Sequence, residues 1–139
     1  CIILMVGGHY TYAEVPLFDK IAELMVSERN NYDKVGHFAQ GFVPAIIARE
    51  VFIRLNVFNQ ARWRNLCIVS ICLAFSAFYE LIEWWVAMAT GENAEAFLGT
   101  QGYQWDTQSD MFWALCGACI ALLSLSSWHN KQLRNMQRA

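Results

Sequence analysis

Long apolar stretches alternate with short polar connections along most of this chain. Three of them, residues 35–58, 66–89 and 111–128, approach the roughly 20 residues that a helix needs to cross a hydrocarbon core of about 30 Å. A shorter apolar run over residues 1–8 has the same character, and we expect it to be the outer end of a spanning helix that begins before Cys1. The pattern predicts an all-α polytopic transmembrane helix bundle that forms a single membrane domain over residues 1–139.

The stretch at residues 35–58 carries Arg49, Glu50 and Arg54 in its last third. Glu50 and Arg54 are spaced for an ion pair between i and i+4, and long arginine side chains can reach the headgroup region from inside a span. We therefore predict that this stretch also crosses the membrane.

Composition supports the membrane class. Hydrophobic residues make up 56% of the chain and charged residues only 16%, whereas a soluble domain usually carries about 25% charged residues. The mean hydropathy is positive, so we expect membrane lipids as partners. The net charge of −2 gives no reason to expect a nucleic-acid partner, which would require a concentrated basic face.

The lysine and arginine residues of the connections predict the orientation, since they collect on the cytoplasmic side. The connection after the second span and the C-terminal tail are basic, whereas residues 91–109 contain no lysine or arginine. We therefore predict a multi-pass protein with a cytoplasmic C-terminus. The basic residues concerned are Arg62, Arg64, Lys131, Arg134 and Arg138.

Three pairs of ionisable residues stand out, because charge inside or beside a span is costly and usually functional. Each pair is spaced so that both side chains share one helix face, and the predicted topology places all three pairs near the external face. Glu80 and Glu83 lie deepest, within a span, and therefore most need partners. The pairs are Asp33 with His37, Glu80 with Glu83, and Asp106 with Asp110.

A histidine nitrogen combined with several carboxylate oxygens suits a divalent cation such as Mg²⁺, Mn²⁺ or Zn²⁺. We expect all six residues to be candidate metal ligands, with Glu80 and Glu83 as ligands or catalytic acid/base groups in a pocket that acts on an envelope lipid or a small polar molecule. Crowded carboxylates can instead share a proton, which would suit a proton-coupled transporter.

A non-catalytic membrane scaffold is the third hypothesis. Asp33 and Asp110 precede apolar stretches and could serve only as helix caps or dipole partners. His37 could simply bond to a neighbouring carbonyl, and Asp106 could be solvated in an external loop.

Several strings carry a family resemblance: Gly7 to Pro16, Glu28 to Phe38, Leu98 to Gly102 and Trp105 to Met111. They resemble the YjdF family of uncharacterised bacterial inner-membrane proteins over nearly the whole chain. The resemblance implies the bacterial inner (plasma) membrane as the location and further spans before Cys1, so that this chain would be the C-terminal part of a longer bundle. Asp33-Lys34 followed by His37-Phe38 is also similar to VanZ-type membrane proteins, which implies at most a shared helical scaffold.

Overall fold

The computed structural model describes residues 2–10, 14–24, 29–90 and 103–136. All regular structure within these ranges is α-helical, as the apolar pattern predicts. The helices are α1 (Ile2–His9), α2 (Pro16–Leu24), α3 (Tyr32–Arg54), α4 (Ala61–Thr90) and α5 (Asp106–Met136).

Two of the helices are long and apolar enough to cross a membrane. They are α4, over Ala61–Ala89, and α5, over Asp106–Met136. Helix α3 has 23 residues and is therefore about 34 Å long, but its crossing stays a prediction. It ends at Arg54, before the end of the 35–58 stretch, because Asn56 takes a left-handed conformation with φ of 50°, which asparagine tolerates and which cannot continue a helix.

Helix α5 extends beyond both ends of the 111–128 stretch. The apolar pattern identifies only the part of a helix that suits the hydrocarbon core of the membrane, whereas polar residues can continue the same helix beyond that core. Asp106 is the first residue of the helix and Arg134 lies in its last turn, and these charges stabilise the two ends of the helix dipole. Asp106 and Asp110 thus both lie on α5, as their helical spacing predicts, and Asp106 is buried rather than solvated in a loop.

The three long helices form one packed unit in which α3 makes its most extensive contact with α5. Two glycines allow this close approach, since a Cβ at Gly41 would overlap the Ala114 carbonyl oxygen and one at Gly117 would overlap the carbonyl oxygen of Phe38. Small residues at helix contacts are typical of membrane bundles. The contact aligns the first turns of α3 with the first turns of α5.

The middle of the bundle is apolar. Its buried core residues are small or aliphatic side chains from all three long helices: Ala45, Ile68, Cys72, Ala118, Ala121 and Leu122. Large apolar side chains face outward on the same helices, including Val43, Ile47, Phe75, Phe78, Leu123 and Trp128. This distribution suits a lipid environment, since lipid chains solvate exposed apolar surface that water would not. Polar side chains that are buried gather at the two ends of the bundle.

Candidate functional site

One end of the bundle, called the acid end below, collects most of the ionisable residues that the sequence singles out. Helices α3 and α5 begin there, and the second half of α4 returns to it. The buried members are Asp33, His37, Glu80, Asp106 and Asp110, each at most 9% exposed. Their ligand atoms form two groups, in each of which all three atoms lie within 4.8 Å of one another.

The first group takes one residue from each long helix: His37, Glu80 and Asp110. The Nε2 atom of His37 lies 3.5 Å from Oε1 of Glu80 and 3.8 Å from Oδ2 of Asp110. Ligand atoms on a tetrahedral Zn²⁺ lie about 3.3–3.6 Å apart, as metal–ligand distances of about 2.0–2.2 Å require. The observed separations are close to those of a metal-binding triad.

The other nitrogen of His37 faces a hydroxyl. Ser76, one turn before Glu80 on α4, has its Oγ 3.5 Å from Nδ1 of His37, and the Tyr79 ring meets the imidazole edge-on at 5.8 Å. A histidine that ligates a metal through one nitrogen usually donates its other N–H to a neighbouring acceptor. Ser76 is placed for that contact, which leaves Nε2 directed at the two carboxylates.

Two oxygens in this triad lack hydrogen bonds. Glu80 Oε1 and Asp110 Oδ1 are both buried and have no hydrogen-bond partner among the residues that the structure describes. A buried carboxylate oxygen that is left unsatisfied carries a desolvation cost. A bound cation or a proton would remove that cost.

The second group consists of Asp33, Asp106 and Asp110, and a guanidinium already occupies it. Nη2 of Arg29 donates hydrogen bonds to Oδ2 of Asp33 and to Oδ1 of Asp106, which joins the start of α3 to the start of α5. Arg29 thus supplies positive charge to this group through Asp33 and Asp106.

Arg29 is a residue that the sequence analysis did not select. Arg29 precedes Asp33 by four residues, a spacing that could have indicated this ion pair. Its second partner, Asp106 on α5, is 77 positions away and is not indicated by any local spacing. Burial alone would lower the pKa of Arg29, but the neighbouring Asp33 and Asp106 outweigh this effect and raise the pKa above its ordinary value. The guanidinium is therefore charged throughout the neutral range, and its contribution to stability is not lost there.

Glu83 stands apart from the two triads. It is half-buried on α4 and, among the described residues, is not a member of either group of converging ligand atoms. Since it follows Glu80 by three positions, it lies about one turn nearer the end of the helix. The structure therefore brings five of the six predicted residues together and leaves Glu83 beside them.

The groove that the structure shows does not coincide with the predicted site residues. This open groove of about 570 Å³ lies at the turn between α3 and α4 and includes none of the six predicted residues. Parts of the resemblance strings, at residues 11–13, 28 and 98–102, lie outside the described residues.

A comparison with protein families decides the class. The family described as "Predicted membrane protein (DUF2238)" matches residues 1–131. The chain belongs to this family of membrane proteins. As a DUF2238 member it is 53% identical over 133 residues to "Inner membrane protein YjdF" of Escherichia coli (strain K12), an alignment that covers 96% of this chain.

The chain spans 64% of the length of that relative. No solved structure matches it. The comparisons confirm the predicted resemblance to the YjdF family and support the inner-membrane location. The family thus adds no reaction, and the chemistry must be argued from the acid end.

Proposed function

We propose that this chain provides a divalent-cation site in an inner-membrane protein, with His37, Glu80 and Asp110 as the ligands. The single observation that carries the proposal is the convergence of these three side chains from three helices at separations near those of a metal triad. The ligand type agrees, since one imidazole and two carboxylates suit Zn²⁺ or Mn²⁺.

The charge of the acid end also favours a cation. Asp33, Glu80, Asp106 and Asp110 are four carboxylates, and Arg29 is the cation that pairs with two of them. Ionised carboxylates left without a counter-charge in a buried site are strongly disfavoured. One divalent ion between Glu80 and Asp110 would balance the negative charge of these two carboxylates.

Three protein ligands leave at least one coordination position open, which is the arrangement of catalytic rather than structural metal sites. A metal in such a site polarises a bound oxygen and lowers the pKa of bound water toward neutrality. We therefore infer metal-assisted hydrolysis or group transfer on an envelope lipid or a small polar molecule, with Glu83 as the neighbouring acid/base group. On the predicted topology this chemistry lies on the external side.

Proton-coupled transport is the less favoured hypothesis. A transporter needs a polar route between the two sides of the membrane, and in the described part of the chain the apolar core residues Ala45, Ile68 and Ala118 lie between the two polar ends. The His37 triad can still hold a proton in place of a metal. Metal analysis therefore distinguishes the metal site from proton-coupled transport.

The direct test is metal analysis of the purified full-length protein beside three glutamate-to-glutamine variants. We expect the wild type to retain a divalent cation, and Glu80→Gln to weaken its affinity by more than about 100-fold, because even residues that only orient a ligand contribute 10–100-fold. Glu83→Gln and Glu50→Gln should retain the metal, since Glu83 is outside the triad and Glu50 is at the other end of the bundle.

Equal and negligible metal in all four proteins would contradict the site and favour a shared proton. Metal loss in Glu83→Gln but not in Glu80→Gln would contradict the ligand assignment.

The catalytic part of the proposal has its own test. We expect the wild type, incubated with polar lipids from a bacterial inner membrane, to convert one lipid class in a reaction that EDTA abolishes. Glu83→Gln should lose at least about 100-fold in rate while it keeps the metal, since a positioned acid/base group contributes about 10²–10⁴-fold. Mass spectrometry of the lipids measures the conversion, and an unchanged lipid profile would leave a metal site without this substrate class.

A further inference from the structure

The end of the bundle opposite the acid end buries two basic side chains. Arg49 on α3 is 1% exposed, and His129 on α5 is 4% exposed. We call this region the basic end and define it by Arg49, Arg64 and His129. Glu50 is the one acidic residue between positions 34 and 79, and residues 111–139 contain none.

Arg49 is held by neutral acceptors. Its Nη1 lies 2.9 Å from Nδ1 of His129, and its Nη2 donates a 2.6 Å hydrogen bond to Oδ1 of Asn130. A guanidinium can only donate, so Nδ1 of His129 accepts this hydrogen bond. Neither the imidazole nor the amide carries a negative charge, so neither is an anionic partner of Arg49.

The nearby carboxylate is engaged elsewhere. Glu50 accepts a hydrogen bond from Nε of Arg54 at 2.8 Å, and its other oxygen lies 3.5 Å from Nε2 of His129. No carboxylate of the described residues makes an ion pair with Arg49. Arg49 is thus a nearly fully buried cation without an anionic partner in the part of the chain that the structure describes.

A second guanidinium lies at the same end of the bundle. Arg64 is half-buried in the first turn of α4, close to where α3 ends. The Nε atoms of both arginines are buried and have no hydrogen-bond partner among the described residues, and neither has the neighbouring Asn65 Oδ1. Two guanidinium groups with unused donors at one end of the bundle form an arrangement that an anion would stabilise.

We propose that the basic end binds a phosphate-type anion, through the unused guanidinium donors of Arg49 and Arg64. Arginine is suited to this ligand, because its planar donors match the oxygens of a phosphate. The source is either the phosphodiester of a membrane lipid or free inorganic phosphate, since the predicted topology places the basic end at the cytoplasmic headgroup level. The site is separate from the proposed metal triad and depends on none of its residues.

The test is thermal unfolding of the full-length protein in detergent with four additions. These are short-chain phosphatidylglycerol, the matching diacylglycerol without phosphate, inorganic phosphate, and sodium chloride at the ionic strength of the phosphate. A ligand that binds only the folded state raises the melting temperature by mass action. We expect phosphatidylglycerol to raise it and the diacylglycerol and sodium chloride not to do so.

The inorganic phosphate sample distinguishes the two sources of the anion. A higher melting temperature with inorganic phosphate shows that the free anion is a sufficient ligand. A higher melting temperature with phosphatidylglycerol alone identifies the lipid headgroup as the ligand. Arg64→Gln should raise the apparent Kd about tenfold or more, because it removes a charge-assisted donor. This variant is expected to fold, since the Arg64 side chain makes no hydrogen bond or ion pair with the described residues.

The matched control is Arg62→Gln, which removes an exposed arginine two positions away that lies over the Trp63 ring. Its apparent Kd should stay within about twofold of the wild type, as for an exposed, screened charge. The proposal is overturned if neither phosphate-bearing addition raises the melting temperature, or if the Arg62 and Arg64 variants lose affinity equally.

Discussion

Replacing Gly41 with alanine is expected to destabilise the helix bundle by about 3 kcal/mol, a large value for one methyl group. The new Cβ would overlap the main chain of Ala114, and a backbone atom cannot move aside as the end of a flexible side chain can. Helices α3 and α5 would have to separate. Because His37 and Asp110 lie one turn from this contact on the two helices, the separation should also weaken the proposed metal site.

Gly36 offers a matched control on the same helix. A Cβ at Gly36 meets no atom within 4 Å, so Gly36→Ala should leave stability unchanged or raise it by up to about 1 kcal/mol through helix propensity. Equilibrium unfolding in a denaturing detergent measures both variants, and metal content measures the site. Equal stability of the two variants would contradict the close α3–α5 contact.

Replacing Arg29 with glutamine is expected to destabilise the protein by about 2–3 kcal/mol in the presence of EDTA, less than for a fully buried pair, because Arg29 is partly exposed. The change removes the guanidinium that bonds to both Asp33 and Asp106 and leaves their buried carboxylates facing each other. The link between the first turns of α3 and α5 would be lost.

Added Mn²⁺ or Mg²⁺ should restore the stability of this variant. The Asp33, Asp106 and Asp110 oxygens already lie within 4.8 Å of one another, and a hard divalent ion favours such carboxylate ligands. Thermal unfolding with EDTA and with each metal measures the rescue. Lys34→Gln is the control, since Lys34 bonds to Asn31 rather than to these carboxylates through its side chain, and a comparable loss in that variant would contradict the special role of Arg29.

The sequence predicted the fold class because an apolar helix that faces lipid needs an apolar side chain at nearly every position. Hydropathy alone detects that requirement in α4 and α5. Hydropathy located the ends of α5 poorly, because the helix continues through polar residues such as Asp106 and Arg134, whose charges interact favourably with the helix dipole. Hydropathy also missed the short helix α2, because that helix is amphipathic and contributes no buried residue.

The candidate site was predicted in part. Helical spacing identified His37, Glu80 and Asp110 as members of pairs, but the structure regroups them across helices, with one residue from each pair. Spacing cannot report such a regrouping, because it describes the face of one helix and not the helix that packs against it. Arg29 and the Arg49–His129 contact were missed for this reason too, as their partners are 77 and 80 positions away in the chain.

The sequence by itself determined that this protein is a membrane helix bundle with acidic and basic residues segregated toward opposite ends, since those properties depend on composition and order along the chain. Only the tertiary structure decided that Glu80 rather than Glu83 joins His37 and Asp110, and that Arg29 pairs with both Asp33 and Asp106. The physical reason is helix packing. The close contact of α3 with α5 at Gly41 and Gly117 fixes the depth and rotation of these two helices, and the packing of α4 against both of them fixes which of its carboxylates faces His37.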